Sequence, residues 1–292
     1  MTQLNTLTDL NTQDFLGAWG LDRLRFGQSL LRALSRPSAA AFARELIAYD
    51  DAVGEGGLPR GGLYLLRRYT AGLRVAGREH LPSSGAALIL SNHPGLADTV
   101  ALFAAIARTD LRVLGLDRAF LRALPNTACQ MFLMPDGAHG RIATIRAAAN
   151  FLRKGGALLT FPAGQIEPDP LALPGAVESL SHWAESIGVF ARLAPQTQII
   201  AAIVSGVLSP EAQRNPIIHI QRDQKKREFL GATLQILWKG YRRNRVNVAF
   251  AKPLLASDLI AQNPDPAYVT ASVVDLARQL ITNPPSRWEI IF

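Results

Sequence analysis

Two uninterrupted apolar runs limit what this chain can fold into: Ala86-Ala87-Leu88-Ile89-Leu90 ahead of Ser91, and Ile199-Ile200-Ala201-Ala202-Ile203-Val204. Each is far shorter than the ~20 residues needed to cross a bilayer as a helix, and neither shows the apolar–polar alternation of a strand with one wet face. Both predict strands buried on two sides. From residue 73 onward the chain alternates such segments with helical ones. Residues 73–77 read as a strand, 82–85 as a turn, 86–91 as a strand and the stretch from about Leu96 to Arg108 as a helix. Residues 111–116 read as a strand, 142–154 as a helix, and 156–161, 199–204 and 246–250 as further strands. The expected fold class is α/β, with a mixed, largely parallel sheet flanked by helices.

The first part of the chain differs. Residues 12–48 carry Phe15, Leu16, Trp19, Leu24, Leu30, Leu31 and Leu34 at helical spacing, interleaved with Arg23, Arg25, Arg32 and Arg36. That pattern predicts an amphipathic, basic helical region. Residues 50–59 read as a loop from their glycines and Pro59, and Gly61-Gly62 continues the break. The expected organisation is an N-terminal helical, membrane-associating region over residues 1–72 and an α/β domain over 73–292. Two readings of the apolar stripe stay open: it lies flat on a membrane surface, or it packs on the α/β domain.

With 48% hydrophobic and 18% charged residues the chain is too apolar to be disordered, and some apolar surface is left for a partner. The excess of 31 Lys plus Arg over 23 Asp plus Glu favours acidic partners, whether nucleic acid, anionic lipid or a phosphorylated co-substrate. Cys129 is the single cysteine, which excludes an intrachain disulfide and a cysteine-based metal cluster and fits a reducing compartment. The opening Met1-Thr2-Gln3-Leu4-Asn5 lacks the basic and apolar regions of a secretory signal, so none is expected.

The chemistry concentrates after the first apolar run, in Asn92-His93-Pro94-Gly95-Leu96-Ala97-Asp98. Residues five apart on one helix point roughly 140° away from each other, so His93 and Asp98 could not pair on a continuous helix. Pro94 and Gly95 remove that constraint by allowing a loop for His93 and a helix start for Asp98. A carboxylate reaching one imidazole nitrogen fixes the tautomer and stabilises the imidazolium formed when the other nitrogen takes a proton. The plain alternative is a helix-capping aspartate beside a loop histidine.

The order of motifs decides between these readings. Leu88 through Asp98 resembles the first signature block of the glycerolipid and lysophospholipid acyltransferase superfamily, the 1-acylglycerol-3-phosphate acyltransferase-like proteins with an Asn-His-x4-Asp core. Phe132 through Arg141 falls where that family's second block lies, and Leu159-Thr160-Phe161-Pro162-Ala163-Gly164 is similar to its third. Ile200 through Gly206 resembles the fourth block, and Val246 through Leu254 the strand and turn that follow. The resemblance covers roughly residues 73–258. It implies transfer of a fatty acyl group from acyl-coenzyme A or acyl carrier protein to a hydroxyl of a lysophospholipid or related lipid, with no metal or other cofactor. It also implies a peripheral position on the inner, cytoplasmic face of a membrane, meeting an anionic surface. His93 would be the general base and Asp98 its orienting carboxylate, with Asn92, Arg141, Phe161, Pro162, Gly164 and Gln165 around the substrates.

The third block departs from the family pattern. Ala163 stands where the family has glutamate, and Gln165 and Ile166 replace the usual threonine and arginine. Arg141 is the substitute expected for a cationic contact, and Glu167, four residues after Ala163, is an alternative place for the missing carboxylate. His139 and Asp136 read either as a second acid–base pair or as a polar turn around Gly137 and Gly140. Among rival functions, a non-catalytic lipid- or membrane-binding relative has no need of His93 and Asp98 together. A serine hydrolase would need a Gly-x-Ser-x-Gly elbow, which is absent. Lys225-Lys226-Arg227 and Arg242-Arg243-Asn244-Arg245 come without a nucleic-acid-binding signature, so no nucleic-acid partner is expected.

Overall fold

The computed structural model describes residues 2–23, 27–95 and 97–292. Leu24, Arg25 and Leu96, which the sequence reading used, lie outside the described residues. Among the described residues nine strands form one sheet. They are β1 Gly72–Ala76, β2 Ala87–Ser91, β3 Leu111–Leu116, β4 Met131–Met134, β5 Ala157–Thr160, β6 Gln198–Ser205, β7 Arg245–Phe250, β8 Leu254–Leu255 and β9 Glu289–Ile290. Their order is β4-β3-β5-β2-β6-β7-β1-β9, with β8 beside β6. The five from β4 to β6 run parallel, β7 and β1 run the opposite way, and β9 reverses again. This is the mixed, mostly parallel α/β architecture that the buried runs predict.

Helices of eight residues or more are numbered α1 Gln3–Trp19, α2 Gln28–Tyr69, α3 Asp98–Ile106, α4 Ala138–Arg153, α5 Ser186–Leu193, α6 Gln224–Leu237 and α7 Pro266–Thr282. Strand alternation divides them between two cores. Ala87, Ile89, Leu159, Ile200, Ala202 and Val204 point toward α2 and α3. Leu88, Leu90, Leu158, Ile199, Ala201 and Ile203 point toward α4, α5 and α7. A sheet with helices on both faces buries every side chain of its central strands, which is why β2 and β6 read as apolar runs without a polar face. Among the described residues no helix is long and apolar enough to cross a membrane.

The loop expected over residues 50–59 is helical instead, and this corrects the sequence reading. α2 runs through the segment and kinks only at Gly56 (φ −149°, ψ 23°) and Gly57 (φ 72°, ψ −178°). Pro59 follows two residues later, in the first turn after the kink, where a helix does not need its missing N–H. Gly61 and Gly62 serve packing rather than a break. A Cβ on Gly62 would lie 2.5 Å from the Val100 carbonyl oxygen, so glycine is what lets α2 press against α3. Leu46, Val53, Leu58 and Leu66 of α2 share one core with β1 and β2.

The basic amphipathic stretch is likewise two pieces. α1 ends at Trp19 on a left-handed Gly20 (φ 70°), and α2 begins at Gln28. Phe15 and Leu16 are buried, Phe15 stacking on Phe42 of α2, whereas Leu30 and Leu34 are 64% and 68% exposed. The stripe is therefore shared: its first part packs on the protein, and its later leucines face out.

Candidate active site

Three neighbouring parallel strands, β5, β2 and β6, deliver their carboxyl ends to one place, where open α/β sheets put their ligands. Asn92 fixes the exit of β2. Its side-chain amide donates to the Val204 carbonyl at 2.9 Å and accepts from the Val204 N–H at 2.7 Å, continuing the ladder to β6 through a side chain. Asn92 is buried, so this amide anchors the loop. Chain direction then changes at once, and His93 projects from the sheet edge.

Gly95 makes the return possible. Its φ of +82° suits glycine, a Cβ there would lie 3.2 Å from Ile166 Cδ1, and its N–H donates to Asp98 Oδ2 at 2.7 Å. Asp98, first residue of α3 and 1% exposed, is also held by the Thr99 N–H and, at 2.9 Å, by the Thr99 hydroxyl. The same Oδ2 lies 2.7 Å from His93 Nδ1. An ionised carboxylate only accepts, so Nδ1 carries the proton and Nε2 offers its lone pair. The His93 ring stacks on Phe161, centroids 4.4 Å apart at 29°, and is 30% exposed.

The electrostatics suit a proton acceptor. Burial alone would lower the imidazole pKa from its ordinary 6.5. The Asp98 charge and hydrogen bond, joined by the charge of Glu167, outweigh burial and raise it. For Asp98 burial acts upward, but the imidazole and the bonds from Gly95 and Thr99 hold its carboxyl below the usual range. An ion pair favoured from both sides is consistent with a histidine that is stabilised on taking a proton.

Beside the pair opens a cavity of about 850 Å³, lined by Pro94, Gly95, Ile166, Leu208 and, from α6, Phe229 and Ile236. Glu167, Asp223, Lys225 and Glu228 add charge to this otherwise largely apolar lining. Among the described residues no group of three or more His, Cys, Asp or Glu side chains could hold a metal ion.

Of the residues singled out from the sequence, His93, Asp98, Asn92 and Phe161 come together here. Pro162 is buried just beyond Phe161 and its carbonyl accepts the Ala184 N–H at 3.2 Å. Gly164 (φ +62°) and Gln165 are exposed on the following turn. Arg141 is exposed in the first turn of α4, after β4. As β4 is three strands from β2, this is roughly 14 Å away in sheet spacing alone. Asp136 and His139 are exposed around the start of α4. What the sequence reading left as an option, and the structure brings to the centre, is Glu167. It is 3% exposed, and its carboxylate accepts the His93 N–H at 3.0 Å. The walls supplied by α6 had no signal beyond a basic run, because a cavity-facing phenylalanine and a core phenylalanine look alike in sequence.

No protein-family model matches the chain, and no curated protein matches it. Among solved structures it is similar to the 1-acyl-sn-glycerophosphate (LPA) acyltransferase PlsC from Thermotoga maritima. The two share 14% identity over 98% of this chain and 100% of that one, with a TM-score of 0.46.

Proposed function

We propose that the chain is an O-acyltransferase that moves a fatty acyl group from an acyl thioester, on coenzyme A or acyl carrier protein, to a hydroxyl of a lysophospholipid or related lipid. The observation that carries this reading is the His93–Asp98 pair at 2.7 Å, held at the carboxyl end of β2 next to a largely apolar cavity that Pro94, Gly95 and Glu167 help to line. His93 Nε2 accepts the acceptor's hydroxyl proton as its oxygen attacks the thioester carbonyl. Asp98 keeps the proton on Nδ1 and stabilises the imidazolium. The tetrahedral intermediate collapses by breaking the carbon–sulfur bond, and the imidazolium returns its proton to the departing thiolate. Backbone N–H groups close to the reacting carbonyl would stabilise the oxyanion. The apolar lining suits an acyl chain, and the acceptor meets the protein at a membrane surface, for which exposed Leu30 and Leu34 beside Arg32 are suited.

Thioester release by the purified protein tests this reading across lysophosphatidic acid, other lysophospholipids and phosphate-free hydroxylated lipids, each with both donor types. Acceptor-dependent thiol release with matching acylated lipid is the expected result. Donor cleavage without any acylated acceptor would replace the reading with thioester hydrolysis.

A further inference from the structure

Glu167 grips the main chain of His93 from both sides. Its carboxylate Oε2 accepts the His93 N–H at 3.0 Å, and its own N–H donates to the His93 carbonyl at 2.9 Å. The other carboxylate oxygen, Oε1, accepts the Ser179 hydroxyl at 3.0 Å and the indole N–H of Trp183 at 3.1 Å. One buried side chain thus ties the β2 exit to the segment between β5 and α5. A carboxylate at 3% exposure is costly to bury; the His93 N–H, the Trp183 indole and the Ser179 hydroxyl, which also lies 2.9 Å from the Ala176 carbonyl, offset part of that cost, and burial still holds the Glu167 carboxyl above its ordinary range. The Pro94–Gly95 turn that frees His93 from helix geometry also removes the local hydrogen bonds that would hold its backbone. The bond from Glu167 supplies one for its N–H.

We propose that Glu167 is a positioning residue for His93, fixing the loop so that the imidazole stacks on the Phe161 ring and bonds Asp98 through Nδ1, which leaves Nε2 for the acceptor. This rests on His93 being the general base. Glu167 places a second negative charge near the imidazole without touching the ring nitrogens, and so supports the positive charge His93 gains in the reaction. Asp98 sets the tautomer, and Glu167 sets the main chain. It does so four residues after Ala163, where the related family carries its glutamate.

Glutamine at 167 is the discriminating change. Its single oxygen can face His93 or the Ser179–Trp183 pair, and its NH2 must then oppose an N–H or hydroxyl donor at the other end. Glu167→Gln should lower kcat about 10- to 100-fold, the scale of a small misplacement of a reacting group. Donor and acceptor KM should stay within about threefold, because neither substrate loses a contact. The His93 imidazole, one of five histidines and assignable by comparison with His93→Ala, should titrate at lower pH by NMR in Glu167→Gln. That titration needs no enzymatic activity, so it separates the two ideas. Absence of acyl transfer by the wild type would sink the acyltransferase reading, while the NMR shift would still report on Glu167. If Glu167→Gln does not fold, Trp183→Phe takes its place: it removes one donor from the carboxylate and should lower kcat several-fold at unchanged KM. A folded variant with wild-type kcat and an unmoved His93 titration would overturn the proposal.

Discussion

Asparagine at position 98 would keep the volume of the side chain and leave one acceptor oxygen where there were two. Oδ2 of Asp98 takes the His93 Nδ1–H and the Gly95 N–H, each at 2.7 Å, while Oδ1 takes both polar hydrogens of Thr99. Asparagine can serve only one of these sets. With its oxygen toward Thr99, its NH2 donates to Nδ1, and the imidazole proton moves to Nε2, where the base is needed. The same tautomer error in a Ser-His-Asp triad costs about 10⁴-fold in kcat. At 1.36 kcal/mol per decade that is about 5 kcal/mol of transition-state stabilisation. We expect Asp98→Asn to lose about 10³- to 10⁴-fold in kcat/KM, measured by thioester release across a pH series. The wild-type acid limb should lie above 6.5, since the base must be neutral and its pKa is raised; without the anion the limb should move down. Stability should follow the same linkage. The raised His93 pKa contributes stability that is complete below its unfolded value and lost as pH rises through the folded one. The lowered Asp98 pKa contributes stability present above its unfolded value near 3.8 and lost as pH falls through the folded one. An Asp98→Asn protein within tenfold of wild type and with its acid limb unmoved would refute the assignment.

His93→Ala should reduce transfer by about 10³-fold or more while circular dichroism and donor binding persist, because the proposed mechanism uses the ring, which stands on a loop outside the core, as proton acceptor; near-native turnover would end the mechanism. Gly95→Ala should lose about 1–2 kcal/mol in denaturant unfolding from its left-handed φ, together with activity; unchanged stability would show that the loop relaxes freely. With Ala163 and Ile166 in the third block, turnover should depend only weakly on an acceptor phosphate, and Arg141→Ala should change it less than about twofold. A strict requirement for lysophosphatidic acid that disappears in Arg141→Ala would reverse this. Vesicle co-sedimentation should increase with anionic lipid, weaken with salt and fall in Leu30→Ser/Leu34→Ser, while Phe15→Ser should unfold the N-terminal helices, a Phe truncation in a core costing about 3–5 kcal/mol. Unaltered binding by the folded leucine variant would move the membrane surface elsewhere, with Trp238, which is 52% exposed, the next position to change.

The parts of the fold that were legible are those whose burial is total. β2, β5 and β6 read directly because both their faces are covered, and β3 ends where it was expected, at Leu111 and Leu116. β4 escaped because it is an edge strand of only four half-buried residues, apolar throughout and too short to show a period. α2 was misread where glycine and proline density signalled a loop. The helix tolerates Pro59 near a restart and needs Gly62 for its contact with α3, and contacts of that kind leave no local trace. In the site, Pro94 and Gly95 only allowed His93 and Asp98 to meet; the order of the surrounding motifs is what set the pair above a helix-capping aspartate beside a loop histidine. Glu167 could only be an option. Its partners Ser179 and Trp183 lie 12 and 16 residues on, and which of them meets the carboxylate is set by the turn after β5.

Two carboxylates around one imidazole have opposing effects on rate, and pH separates them. A raised pKa makes His93 a stronger base, yet at neutral pH it also leaves a larger share already protonated and idle. Removing either charge weakens the base and frees more of it. For Glu167→Gln, whose change leaves the ring nitrogens untouched, the deficit relative to wild type should therefore be largest well above the acid limb, where all of the wild-type base is neutral. It should narrow below the limb, where the variant keeps more neutral imidazole. For Asp98→Asn with its oxygen toward Thr99 the tautomer is wrong wherever the ring is neutral, so the deficit should remain large on both sides. A Glu167→Gln deficit that stays constant across the same range would mean that Glu167 acts through loop geometry alone, with its charge contributing nothing to the base.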